Sequence, residues 1–507
     1  MPVNIVLYLP PMKNRKVILI VLMMGTLMAS LDNSVVNVSL PTISKQFGSN
    51  AGNVKWIILA YMLGFCTTMP LVDWLSEKLG FQKLFIVIVS IFTFASLLCG
   101  LSTNLPQLIS ARVLQALGGG AIAPTAMAML SRLYGKEERG KAMGWWGLGA
   151  VVGPAIGPTL GGYLTREYGW PNIFFINVPI GVITVVLSFF LLRGFKKQAP
   201  VAPNIKSTPA GQTEKFDFVG FTWLLLFLTT FQYALSAFEK DGLAAIEGYI
   251  ISAVAITALL LFIREEKRTA HPVIDLALFR NRIYVRTLTI IFARSMALFG
   301  GLFLMPFLFQ DYLRYNELQS GLFMLPISAC MAFLLPISGK WADKHGSRNI
   351  TTVALILLCL SNIILTFFSY PTGILLILTA TAVRGVGLGL LVSPLTSTAI
   401  NALSAGQTTV GASVLNLFMQ VAGSTGLAVL TLVYSLSNNL FQKTQTVANA
   451  QYHSMSLAFW FAAGIVALAI IPSRGLPSIG QKEISTKKVT VQGDNHLRVH
   501  AEDQLTP

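Results

Sequence analysis

Charge is scarce in this 507-residue chain, where only 11% of residues are Asp, Glu, Lys or Arg. A soluble domain carries about 25%, so the polar surface needed to face water on all sides is missing and an ordinary cytosolic enzyme is excluded. Cysteine is scarcer still. Cys66, Cys99, Cys330 and Cys359 each fall inside an apolar run, where they read as small core residues rather than disulfides or metal ligands. The five histidines keep to loops, helix ends and the tail, and no Cys/His group has metal spacing. The phosphate-cradling sequence G-x-x-x-x-G-K-[ST] is absent, because Gly135-Lys136 continues with Glu137 and Gly339-Lys340 with Trp341. That removes transport driven by a nucleotide held in such a loop. Embedded acids are nearly missing as well: Asp32 is the only one inside the apolar cores of residues 17–193.

What is abundant is hydrocarbon. Apolar residues make up 54% of the chain, and its mean hydropathy is +0.65. They come in blocks, and a block of about 20 residues spans a ~30 Å bilayer core as a helix. Fourteen such blocks are expected, giving an all-α polytopic membrane protein. The expected layout is a short cytoplasmic amino terminus at 1–16, a six-helix bundle at 17–193, a basic linker at 194–216, two inserted helices with their loop at 217–283, a second six-helix bundle at 284–472 and a polar tail at 473–507. The first block follows Lys13, Arg15 and Lys16, but its length, Asp32 and the blocks after it mark it as an uncleaved span.

A net charge of +16 invites a nucleic-acid partner, which requires the bases on one soluble face. Here they sit in loops, so nucleic acid is excluded and the charge reports topology. With the amino terminus inside, 28 of the 37 Lys and Arg fall in inner segments and six in outer loops. Both termini are therefore expected in the cytoplasm.

An internal repeat divides the blocks. Glu77 and Asp343, like Gly80 and Gly346, stand 266 residues apart in short loops of similar composition, and Arg112 and Arg384 stand 272 apart. Parallel halves of this kind place a transport site between them, near the membrane midplane. In that setting Asp32 is costly, at ~2.5–3.5 kcal/mol if ionised. It reads either as a carboxyl that alternates between a proton and a cation, or as an acid held by Asn33, Asn37 or nearby backbone. Arg112 is its natural counter-ion, with Gln115 one turn along. Apolar surroundings favour the neutral acid and a neighbouring cation favours the carboxylate, so a cavity that opens and closes could load and release a proton.

Other candidates are less determined. Arg384 reads as structural; Arg294, isolated in its block, reads equally as site or scaffold, and Gln420 as a cavity polar group. Gly149, Gly153, Gly157 and Gly161 form one stripe, which with Pro154, Pro158 and Gly162 reads as close helix packing or as a deformable seal between the halves. The loop from Gly339 through Asp343 and Gly346 to Arg348, and its copy with Glu77 and Gly80, reads as a charge latch or as a solvated turn. Glu239, Asp241, Asp311 and Glu317 fall at outer helix ends and read as solvated, with Asp311 also placed to face the cavity mouth.

Together these residues resemble the major facilitator superfamily, and within it the fourteen-helix drug:proton antiporter family of Emr-type and Qac-type multidrug pumps. The likeness rests on Leu31 to Pro41, Arg112 to Gly120, Gly153 to Gly162, and Trp170 with Phe174 to Gly181. It implies the major facilitator fold, proton coupling at Asp32 and Arg112, and an antiporter that exports lipophilic compounds by alternating access. It implies no cofactor beyond the coupling proton, and it admits a periplasmic adaptor as partner beside the lipid bilayer. Asp73 and Phe81-Gln82 depart from the family's usual loop, and the absence of an acid near Gln420 points away from dicationic cargo. An exporter of one endogenous metabolite or siderophore, and a non-transporting receptor or scaffold, are the rival readings.

Overall fold

The computed structural model describes residues 15–192, 216–242, 245–269, 272–368, 373–404 and 407–478. Most of the expected linker and tail, and the residues before 15, lie outside them, as does the side chain of Asp343. All regular structure among the described residues is helical. The long helices are α1 (Arg15–Gln46), α2 (Trp56–Thr68), α3 (Leu71–Leu79), α4 (Phe81–Gly100), α5 (Leu105–Leu133), α6 (Lys136–Tyr168), α7 (Asn177–Leu191), α8 (Phe218–Asp241), α9 (Ile246–Glu266), α10 (Arg282–Phe307), α11 (Glu317–His345), α12 (Ser347–Thr366), α13 (Ile374–Asn401), α14 (Thr408–Phe441) and α15 (Val447–Leu468).

Twelve helical segments among the described residues are long and apolar enough to cross a bilayer. Two of the fourteen expected spans fall short for separate reasons. One is broken into α2 and α3 at Pro70, which has no N–H to give to the Cys66 carbonyl. The other, α6, runs for 33 residues, but it opens on a charged turn and is diluted by glycine and two prolines.

The helices pair in the same way twice. In the amino-terminal group α1 packs on α6 and α7, α5 on α2 and α4, and α4 on α7. In the carboxyl-terminal group α10 packs on α14 and α15, α13 on α11 and α12, and α12 on α15. The groups meet where α6 packs on α11, α2 on α14 and α1 on α10, while α8 and α9 pack on each other and α8 also on α14. One face of the molecule carries the start of α1, since Tyr134 Oη donates to the Arg15 carbonyl there. We call this the Arg15 face and the opposite one the Gln46 face.

The repeat is visible in the backbone. Gly80 separates α3 from α4 at φ 76°, ψ 150°, and Gly346 separates α11 from α12 at φ 81°, ψ 164°. That region is essentially closed to any other residue. In both halves the loop glycine thus reverses the chain without an intervening residue. Gly80→Ala and Gly346→Ala are each expected to destabilise the protein by about 1–3 kcal/mol, read as a drop in Tm of the purified chain. An unchanged Tm would mean that the turn relaxes freely.

Candidate functional site

Asp32 lies midway along α1 and is 1% exposed. Arg112 on α5 reaches it through Nη1 at 2.5 Å from Oδ2, and Gln115, one turn on, donates from Nε2 to Oδ1 at 2.9 Å. Asn177 at the start of α7 donates to the same Oδ1 at 2.8 Å. The ring closes on itself: Arg112 Nη1 also donates to Gln115 Oε1 at 2.6 Å, and Gln115 Nε2 donates to Ser96 Oγ at 2.7 Å. Arg112 Nε reaches the Ile57 carbonyl at 3.3 Å, and the guanidinium lies 4.0 Å over the Tyr61 ring. Every residue of the ring is buried.

Small residues make this approach feasible. A Cβ on Gly118 would stand 2.8 Å from the backbone nitrogen of Phe92 on α4, and one on Gly119 would meet the Tyr61 hydroxyl at 2.6 Å. Substituted, either position would push α5 and its arginine outward. Electrostatically the ring is a closed account of one minus and one plus. A buried pair broken on one side leaves an uncompensated charge at about 3–5 kcal/mol. A proton arriving on Asp32 would leave the Arg112 guanidinium in that position, because arginine keeps its own proton.

Of the residues singled out in the sequence, the structure brings together Asp32, Arg112 and Gln115. Asn33 and Asn37 do not touch the acid; the Asn37 amide turns back to the Asn33 carbonyl at 3.2 Å. Arg294 is buried in α10 and makes no hydrogen bond or ion pair among the described residues, and Gln420 Oε1 on α14 is buried without a partner. Neither belongs to the ring. Sequence reasoning missed Asn177, Ser96 and Tyr61. Asn177 had a signal, as a polar residue inside the apolar block that follows Trp170.

The carboxyl-terminal group holds a copy of the ring that lacks the carboxylate. Arg384 Nη1 donates to Asn362 Oδ1 at 2.9 Å, and Nη2 donates to the Ala297 carbonyl. Asn362 stands 266 residues after Ser96, and Ala297 lies next to the position 266 after Asp32. A main-chain carbonyl therefore stands where the other half has its carboxylate. Arg384 thereby ties α13 to α12 and α10.

The glycine stripe of α6 closes on α1, within its own group: Gly153 lies against Ser30 and Leu31, Gly157 against Ser34, and Gly161 against Val35. The contact with the other half runs along the prolines. Pro158 has no N–H for the Pro154 carbonyl, and Ser328 Oγ of α11 supplies the missing donor at 2.8 Å. Gly162 lies against the backbone of Glu317 and Leu318. The loop residues divide. Gly339 faces Ser393, Glu77 is exposed, and Arg348 Nε donates to the Leu476 carbonyl at 3.0 Å. Arg348 thus pins the root of the tail, whose Pro477 carbonyl also caps the start of α12.

The Gln46 face corrects one expectation. Glu239 is only 7% exposed and pairs with Lys55, which is fully buried between α1 and α2, while Ser435 Oγ of α14 donates to it at 2.7 Å. Glu317 accepts from Thr42 at 2.9 Å, and Asp311 pairs with Lys45 at 2.8 Å. Glu239 is thus shielded from solvent, while Asp311 and Glu317 bridge the two groups from half-buried positions. A cavity of about 920 Å³ lies among them, lined by Lys45, Trp56, Tyr233, Glu239, Asp311 and Tyr434 among others. None of Asp32, Asn33, Asn37, Gln115, Arg294 or Gln420 lines it.

A repeated helix pairing around a buried Asp–Arg ring invites comparison with known proteins. Residues 22–427 match the family description Major Facilitator Superfamily. The chain belongs to the Major Facilitator Superfamily. Among its relatives is a Multidrug resistance protein B homolog of Mycobacterium tuberculosis, 31% identical over 85% of this chain and 78% of that protein. Another is the Multidrug export protein EmrB of Escherichia coli, 29% identical over 82% and 79%. A third is the Riboflavin transporter RibZ of Clostridioides difficile, 30% identical over 91% and 97%. A bacterial homolog of the lysosomal transporter Spinster, solved in an inward-facing and unoccupied conformation, shares the fold with a TM-score of 0.62 at 14% identity, over 91% of this chain and 97% of that one. As a superfamily member of the Emr type, the protein is a multi-pass membrane transporter and not an enzyme.

Proposed function

We propose that this protein is a proton-coupled antiporter that exports lipophilic drugs or toxic compounds by alternating access. Its fourteen crossings form two six-helix bundles with α8 and α9 inserted. Both termini lie in the cytoplasm, so that the Gln46 face is outside. The observation that carries the reading is the sealed ring of Asp32, Arg112, Gln115 and Asn177, which a proton cannot enter without unbalancing. Asp32 takes the proton, and Arg112, released from its partner, drives the rearrangement that exchanges proton for cargo. The relatives named for multidrug resistance and export support the cargo class. One proton falling through ~100 mV supplies about 2.3 kcal/mol, roughly a fifty-fold gradient.

Everted membrane vesicles test this. On addition of a lipophilic compound the acidified lumen should lose protons, and Asp32→Asn should abolish that loss. Full coupling in the variant would remove Asp32 from the mechanism. The riboflavin-named relative, covered over nearly its whole length, supports a second reading in which one flavin-like metabolite is the cargo. Flux of riboflavin, and of no drug in a panel, would select it.

A further inference from the structure

On the Arg15 face, the ends of the two inserted helices bring two acids together. Asp217 caps the start of α8 and Glu266 ends α9, and they are 8% and 5% exposed. Each carboxyl has one oxygen committed: Asp217 Oδ1 accepts from the Gly220 N–H at 2.8 Å, and Glu266 Oε2 accepts from the Ile274 N–H at 2.9 Å. The second oxygen of each, Asp217 Oδ2 and Glu266 Oε1, is buried without a hydrogen-bond partner. These two oxygens flank the same glycine. A Cβ built on Gly220 would strike Asp217 Oδ2 and stand 2.9 Å from Glu266 Oε1.

The groups that face Glu266 are Asp217, Glu265 and the N–H groups of Val273 and Ile274; no base among the described residues does so. Phe216 packs on Trp74, Phe218 and Phe221 beside them, which thickens the apolar cover. Two ionised carboxylates in such a place repel, and each leaves a buried acceptor unanswered. A single proton answers both problems. Carried on one oxygen, it donates across to the other and halves the charge of the pair.

We propose that Asp217 and Glu266 form a proton-binding site of the inserted helix pair, holding one shared proton at neutral pH. It is separate from Asp32 and lies at the opposite end of the inserted helices from the Gln46 face. The pair ties the entry of α8 to the exit of α9 and to residues 273–274, which lead into the carboxyl-terminal group. Loss of the proton leaves two like charges there and loosens all three.

The test is infrared spectroscopy of the full-length protein in lipid nanodiscs, without cargo, as pH is raised. A protonated-carboxyl band should persist at neutral pH, split on isotopic labelling of aspartate and of glutamate, and vanish from the difference spectrum of the Asp217→Asn/Glu266→Gln variant. Each single substitution should leave a band that no longer responds to labelling of the replaced residue. A double variant with the wild-type spectrum would overturn the proposal. So would a titration that shifts with added sodium or calcium, which would mark a metal cation as the occupant. Should the double variant fail to fold, labelling of the wild type alone decides, because a shared proton must shift with both labels.

Discussion

Asp32→Asn is expected to unseal the ring in which it sits. Asparagine offers one acceptor where the carboxylate offers two, so either Arg112 or the Gln115 and Asn177 amides meet a donor instead of an acceptor. The guanidinium is left buried and uncompensated, at about 3–5 kcal/mol, which favours any arrangement that lets water reach it. The chain carries its own reporter. Cys99 is fully buried, with Sγ 3.7 Å from Gln115 Oε1. With Cys66, Cys330 and Cys359 replaced by alanine, the reaction of Cys99 with a water-soluble maleimide should quicken at least a hundred-fold in the Asp32→Asn background. This follows from about 1.4 kcal/mol per factor of ten. An unchanged rate would show that the ring tolerates a neutral residue, and protonation of Asp32 would then have no leverage on conformation.

The second large effect is expected at the Gln46 face. Lys55→Met leaves Glu239 buried with only the Ser435 hydroxyl to answer it, and it should destabilise the fold by about 3–5 kcal/mol. Replacing both members, Lys55→Met with Glu239→Leu, removes the stranded charge and should recover most of that loss. The measurement is the thermal unfolding of both variants in one detergent. A double variant no more stable than the single would mean that the pair contributes shape rather than charge.

Much of the plan was legible in the sequence because hydrocarbon thickness and the cost of buried charge leave few options. The spacing of apolar blocks gave the helices, the loop glycines gave the repeat, and the isolation of Asp32 and Arg112 in such blocks led to their pairing. Gln115 followed from helical spacing. The remainder failed for a common reason, which is that a sequence shows where a residue lies along a helix but not what closes over it. Glu239 falls at a helix end, where solvent is the default, and only the packing of α8 against α14 and the α1–α2 connection buries it. Asn177 stood out as polar in an apolar block, but its partner was not readable until α7 was placed beside α1. Arg294 remains a buried cation for which the described residues supply no counter-charge. The breadth of the α6 stripe was readable, but not that it would seat on α1 while its prolines served the other half.

The inserted helix α8 is stitched unevenly. It bonds α14 at two heights, through Gln232 to Ser424 at 2.9 Å and through Glu239 to Ser435 at 2.7 Å, but its ion pair with the opposite group lies at a single height, through Lys55. Any swing that parts the Gln46 face can spare two of these stitches by giving up one. Under the proposed alternating access, the hairpin would travel as a passenger of the carboxyl-terminal half once its aromatic contact with Trp74 slides, and the rocking would be lopsided: a heavier partner would carry the extra freight while the lighter one held the charge proposed to set it moving.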